Sequence, residues 1–234
     1  MQVQEPIATG RWTILDLAVI ALAGLLGSIL PVVVGLGSDV IFVLVGQFLF
    51  TVGAIRLVVK VRRRDFQRLG FVVEARDGLM LLLGAGLQIL VAFLFLPLAV
   101  LVELDTEPQS LVTEIAGASG TLRRLALFLI IGLIGPILEE LMFRGVLVDA
   151  LAARFKTRGV VIGSSVAFAA FHLTGVSTVQ PLESIMVLVP QLFLFGAVLA
   201  YLRIRHKRLG PAIFAHAGFN LLSLSVLLFY PDLL

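Results

Sequence analysis

Residues Leu125–Val148 read LALFLIIGLIGPILEELMFRGVLV. The run is long enough to cross a bilayer core, which takes about 20 apolar residues at about 1.5 Å each. Yet it holds Glu139, Glu140 and Arg144 within six positions. An ionisable group at the centre of a span costs about 2.5–3.5 kcal/mol on insertion scales, so each needs a partner or a task. Glu140 and Arg144 are four apart, share a helix face and can neutralise each other. Glu139 is turned by about 100° and faces a different neighbour. Pro136 lacks an N–H and frees the carbonyl of Gly132. It predicts a kink one turn before Glu139, with room around the carboxylates.

The rest of the chain supports a membrane reading. Of 234 residues, 59% are apolar and 14% charged, against roughly 45–50% and 25% in an average soluble domain. Mean hydropathy is +1.09. A soluble globular domain and a disordered chain are both excluded. The absence of cysteine removes disulfide and Cys-based metal or redox chemistry. Apolar runs predict seven spans near Thr13–Gly35, Ser38–Val59, Gly78–Val102, Leu125–Val148, Gly159–Thr174, Ser184–Ile204 and Leu209–Phe229. They lack the alternation of a membrane barrel. The fold class is all-α: a polytopic transmembrane bundle of about seven helices.

Charge gives the orientation. Fifteen of the 18 basic residues (all but Arg123, Arg124 and Arg144) fall at one end if the spans alternate. The opposite loops carry Asp39, Glu103, Asp105, Glu107, Glu114 and Glu183. The positive-inside rule places the N-terminus in the cytoplasm and the C-terminus outside. The net charge of +3 is read as topology rather than as a nucleic-acid footprint. Arg62–Arg68 could rest on anionic headgroups, but a topology signal alone is the better reading of the stretch. Ala21-Leu22-Ala23 resembles a signal-peptidase site, though apolar sequence continues past it, so an uncleaved first span is expected. The external loop around Leu104–Thr121 could be partly helical at the interface.

Two of three histidines also fall inside apolar runs. Span five ends in Phe168-Ala-Ala-Phe171-His172, and span seven contains His216-Ala-Gly-Phe219-Asn220. A carboxylate held in an apolar span can serve as general base or acid. His216 and Asn220 are four apart and form a plausible donor pair for an oxyanion. Phe168 lies one turn before His172 and could fix its ring. Gly163, Ala167 and Ala170 allow close helix approach. Each feature alone has a plain structural reading: an ion pair, a packed histidine, an interhelical amide clamp. Gln47, Gln88 and Gln191 read only as interhelical hydrogen bonds. It is the convergence of Glu139, His172, His216 and Asn220 on three helices that points to catalysis. One depth problem follows. His172 lies about 20 Å along its helix from Gly159, and His216 about 9 Å from Gly210. They meet only if span five begins outside the membrane or the helices tilt.

At these residues the sequence resembles the CAAX-protease and bacteriocin-processing intramembrane endopeptidases. The family's EExxxR, FxxxH and HxxxN motifs stand here as Glu139-Glu140-Leu-Met-Phe-Arg144, Phe168-Ala-Ala-Phe-His172 and His216-Ala-Gly-Phe-Asn220. The resemblance divides the chain into N-terminal helices, 1–122, and a catalytic membrane core, 123–230. It implies hydrolysis of peptide bonds in membrane-associated or lipidated substrates, as in CAAX processing or bacteriocin maturation and immunity. Glu139 and His172 would activate water, His216 and Asn220 would form the oxyanion hole, and Glu140 and Arg144 would hold geometry and charge. A metal-free reaction is favoured. A zinc ion on Glu139, His172 and His216 stays open as the alternative. The implied partners are the bilayer and a protein or peptide substrate; the chain's size and single compact unit suggest a bacterial plasma membrane, with the endoplasmic reticulum as the alternative. A non-catalytic scaffold or immunity protein, and a proton-coupled transporter, are the competing functions.

Overall fold

The computed structural model describes residues 10–103, 115, 117–175 and 181–229. Seven helices form among them, and no strand. They are α1 (Ile14–Val33), α2 (Val40–Arg62), α3 (Met80–Leu101), α4 (Thr121–Leu151), α5 (Thr157–Phe171), α6 (Pro181–His206) and α7 (Gly210–Phe229). All except α5 are long and apolar enough to cross a membrane. With 15 residues α5 reaches only about 22 Å. The fifth predicted span is thus a short helix, closed by a 3₁₀ turn at His172–Gly175. Most of the external loop around Leu104–Thr121 lies outside the described residues.

The helices meet where side chains are missing. A β-carbon on Gly27 of α1 would collide with the Gly46 carbonyl of α2, and one on Gly46 with the Gly27 carbonyl. Between α3 and α7 the same holds for Gly84 against the Ala215 carbonyl and Gly218 against the Leu81 carbonyl. Backbones in contact maximise dispersion where lipid removes the hydrophobic drive for helix association. Helix α6 reaches the centre at Gly196, whose missing side chain admits the Arg144 guanidinium and the Ser165 backbone. On α5, Gly163 is also close-packed, a β-carbon there lying 3.0 Å from Leu151 of α4.

At the basic end the loops and helix ends form a sealed cap. Thr13 starts α1 in a reciprocal capping box with Asp16. The fully buried Asp16 carboxylate also binds Arg62 and Arg64, both at 2.9 Å, tying α1 to the end of α2. Asp149 on the last turn of α4 accepts the Trp12 N–H at 3.0 Å and pairs with Arg68 at 3.1 Å. Arg208 joins Asp77 and Glu74. The Leu209 and Gly210 N–H groups donate to the Gly70 and Val72 carbonyls. Three arginines of the Arg62–Arg68 stretch thus point inward to carboxylates, so they do not form a free lipid-binding patch.

This cap resolves the depth problem. Residues 141–148 of α4 are buried on every side, enclosed by protein rather than lipid. Helix α4 therefore runs past the start of α7 into the cap. Helix α5 begins beyond it and returns, so that His172 reaches the level of His216.

Candidate active site

Helix α4 is not a regular α-helix around its carboxylates. Its ladder widens to π turns at Ile130–Ile134 and Leu141–Leu147, on either side of a short α segment, Gly135–Glu140. The first widening has a cause in Pro136. The Gly135 N–H bonds the Ile130 carbonyl five residues back, and Pro136 has no N–H to offer. This leaves the Ile131 carbonyl without a ladder donor. Asn220 of α7 fills the gap, its Nδ2 donating at 3.1 Å. The Ile131 carbonyl is thus free of the ladder beside the Gly132 carbonyl expected. In the second π turn, Ser164 donates to the Phe143 carbonyl at 3.2 Å and Arg203 to the Arg144 carbonyl at 3.1 Å. Wide turns recur at functional sites, where they re-aim side chains.

The two adjacent glutamates have separate environments. Glu140 and Arg144 are fully buried and paired at 3.1 Å. Arg144 also donates to the Gly196 carbonyl at 2.9 Å and lies 4.4 Å from the Phe168 ring centroid. Glu139 and His172 keep 25% and 29% of their side-chain surface exposed, so solute can reach them. Glu139 Oε2 lies 3.5 Å from His172 Nε2 and 3.8 Å from His216 Nε2, and has no hydrogen-bond partner.

Both rings have assignable protons. His172 Nδ1 is 2.8 Å from the Phe168 carbonyl, which can only accept, so Nδ1 donates. His216 Nδ1 is 2.9 Å from Glu140 Oε1, an oxygen already held by Arg144, so it donates as well. Each imidazole therefore turns Nε2 toward Glu139. Phe168 packs beneath both, with centroids 4.5 Å from His172 and 5.7 Å from His216. Phe195 lies edge-on to His216 at 5.2 Å and stacks on Phe219 at 4.0 Å.

A cleft of about 110 Å³ lies in front of Glu139. Its lining includes Glu139, Asn220 and Phe171, with Leu44, Gln47, Phe48 and Thr51 of α2 opposite. All seven predicted site residues thus gather in one place, and six are linked by direct contacts: Glu139, Glu140, Arg144, Phe168, His172 and His216. Asn220 joins through the α4 backbone, with a second N–H left to donate. Sequence reasoning missed Phe195, Gly196 and the α2 wall. A small residue in an apolar run was the only signal for Gly196, and the α2 wall had only the unassigned Gln47. Glu139, His172 and His216 share one focus. Even so, among the described residues no group of three or more His, Cys, Asp or Glu is arranged to hold a metal ion.

Residues 121–222 match the family described as Type II CAAX prenyl endopeptidase Rce1-like. The match runs from the first residue of α4 into α7, contains all three motifs and agrees with the family they resemble. It covers a little under half of the chain and leaves out α1–α3. No curated protein and no solved structure matches the chain. The molecule is a multi-pass integral membrane protein whose residues 121–222 match a membrane protease family.

Proposed function

We propose that this protein is an intramembrane endopeptidase that cleaves membrane-associated or lipidated protein substrates with a water activated by Glu139 and His172. The observation that carries the reading is the Glu139 side chain at the cleft, partly exposed, whose buried Oε2 has no hydrogen bond and faces two imidazole Nε2 atoms. Water in the cleft donates one proton to Glu139 and the other to His172 Nε2. As its oxygen attacks the peptide carbonyl, Glu139 takes the first proton as general base. The new oxyanion accepts from the second N–H of Asn220, with His216 beside it as the other oxyanion-hole residue. Collapse breaks the C–N bond, and the proton passes from Glu139 to the leaving amine.

Glu140 and Arg144 act by holding His216 Nδ1 and so aiming its Nε2. No step requires a metal; a zinc ion on Glu139, His172 and His216 would instead supply Lewis-acid activation of the water. With the cap in the cytoplasm, as the basic excess favours, the N-terminus is cytoplasmic too.

The test compares membrane-protein termini in cells carrying wild type or Glu139→Gln at equal abundance. New C-termini and released peptides that vanish with Glu139→Gln support the protease and name its substrate. Identical termini, with both proteins folded, would sink the reading in favour of a scaffold.

A further inference from the structure

The cleft in front of Glu139 is closed on one side by α2, which lies outside the segment matched by the protease family. Two of the four α2 residues lining it are polar, and they differ. Thr51 is buried and its hydroxyl faces α1, where a β-carbon on Gly24 would lie 2.7 Å from it. Gln47 is half-buried in the wall, and its carboxamide has no hydrogen bond among the described residues. Its Cγ packs near Gly24 of α1, and the side chain lines the cleft.

A membrane makes such a group informative. Hydrocarbon offers no water to an amide, so a carboxamide kept in a span needs another partner. The substrate needs the same thing. A segment cleaved within a membrane must be extended at the scissile bond, since a helix buries its carbonyls in its own ladder. Extension frees main-chain N–H and C=O groups where water is scarce. A glutamine side chain offers one acceptor and a donor pair, the complement of an extended strand.

We infer that Gln47 is a substrate-positioning residue: its carboxamide binds the main chain of the extended substrate between α2 and α4, setting which bond lies over Glu139. This rests on the protease reading. The α1–α3 region then supplies substrate register to a catalytic centre built wholly on α4, α5 and α7.

The experiment uses the full-length protein in micelles with an internally quenched, farnesylated CAAX peptide as probe, and products read by mass spectrometry. Gln47→Leu keeps the side chain's size and removes both bonds. KM is expected to rise about tenfold, the scale of one or two net hydrogen bonds, with kcat within about threefold of wild type. Cuts at neighbouring bonds are also expected. Gln47→Glu, which keeps an acceptor, falls between. Gln88→Leu on α3, away from the cleft, matches wild type in every readout.

A purely structural role would lower kcat or the yield of folded protein without moving the cut, and that result overturns the inference. Wild-type kinetics and a single cut in Gln47→Leu overturn it too, leaving the protease reading intact. If wild type and Glu139→Gln are equally inert on the probe, the protease reading for this substrate class falls, and the inference with it.

Discussion

The cap and the site are built from the same kinds of residue and balanced in opposite ways. In the cap Asp16 and Asp149 each meet two guanidiniums, while the buried Asp77 shares Arg208 with Glu74. Asp16 has Arg62 and Arg64, and Asp149 has Arg68 at 3.1 Å with Arg11 at 3.8 Å. In the site two glutamates share a single guanidinium, and their other charged neighbours are imidazoles, a side chain that exchanges protons readily. One oxygen of Glu139 is left with no hydrogen bond at all. A surplus of fixed cations makes a latch. A deficit filled by mobile protons makes a centre that can accept and return a proton.

Removing the deficit should have the largest effect. Glu139→Gln retains shape but cannot accept the water's proton. Cleavage should fall by about 10²–10⁴, the range of general-base catalysis. The thermal midpoint in detergent should stay equal or rise, because an incompletely paired carboxylate is gone. A variant that loses activity and stability together would make Glu139 a structural residue like Asp16.

Breaking the site's one fixed ion pair comes next. Arg144→Met leaves Glu140 buried with only His216 as partner, at an expected cost of about 3–5 kcal/mol for an uncompensated buried charge. The double variant Glu140→Gln with Arg144→Met should recover much of that stability in denaturant melts, but not activity, since His216 Nδ1 loses its carboxylate. A double variant no more stable than the single one would mean that Arg144 acts through Phe168 and Gly196 rather than through charge.

The matching change in the cap sharpens the contrast. Asp16→Asn keeps much of the α1 capping geometry but discards the pairing with Arg62 and Arg64. Those arginines retain 34% and 15% exposure, so water screens part of the loss. About 1–2 kcal/mol of destabilisation is expected. Turnover per folded molecule should be unchanged, measured as activity against the folded fraction. A drop in kcat without unfolding would mean that the latch tunes the site.

Much of this contrast was legible in the sequence. The bilayer setting followed from composition, and the pairing of Glu140 with Arg144 from i,i+4 spacing. The separate fate of Glu139 followed from the 100° turn between neighbours. Two things were hidden. The π turns that bracket the carboxylates depend on which N–H bonds which carbonyl, and that is settled only once α7 delivers Asn220. The cap depends on partners far apart in the chain, such as Trp12 with Asp149, which no local period encodes. The two arginines that broke the charge pattern also needed tertiary contacts. Arg124 donates to the Ala118 carbonyl and lies over the Phe229 ring, while Arg123 pairs with Asp39.

That last pair gives the smallest effect and a check on sign. Asp39 caps α2 by accepting the Ile41 N–H at 2.9 Å and binds Arg123 at 2.6 Å, just outside the membrane-spanning run. The Arg123 guanidinium, with the capped N–H, holds the Asp39 carboxyl below its ordinary value of 3.8. A carboxylate depressed in the folded state contributes stability that is fully present above its unfolded value. That contribution is lost as pH falls through the folded one. An asparagine at this position would cap α2 about as well but could not pair, so Asp39→Asn isolates the pairing. The wild-type advantage should be under about 1 kcal/mol, as for exposed pairs. It should be constant from about pH 5 to 8 and shrink below about pH 4, in melts of the micellar protein. An advantage that grew on acidification would assign it to another group. A pair worth so little at the rim, beside one worth several times more at the centre, places the value of a charge in its burial and its partners rather than in its presence.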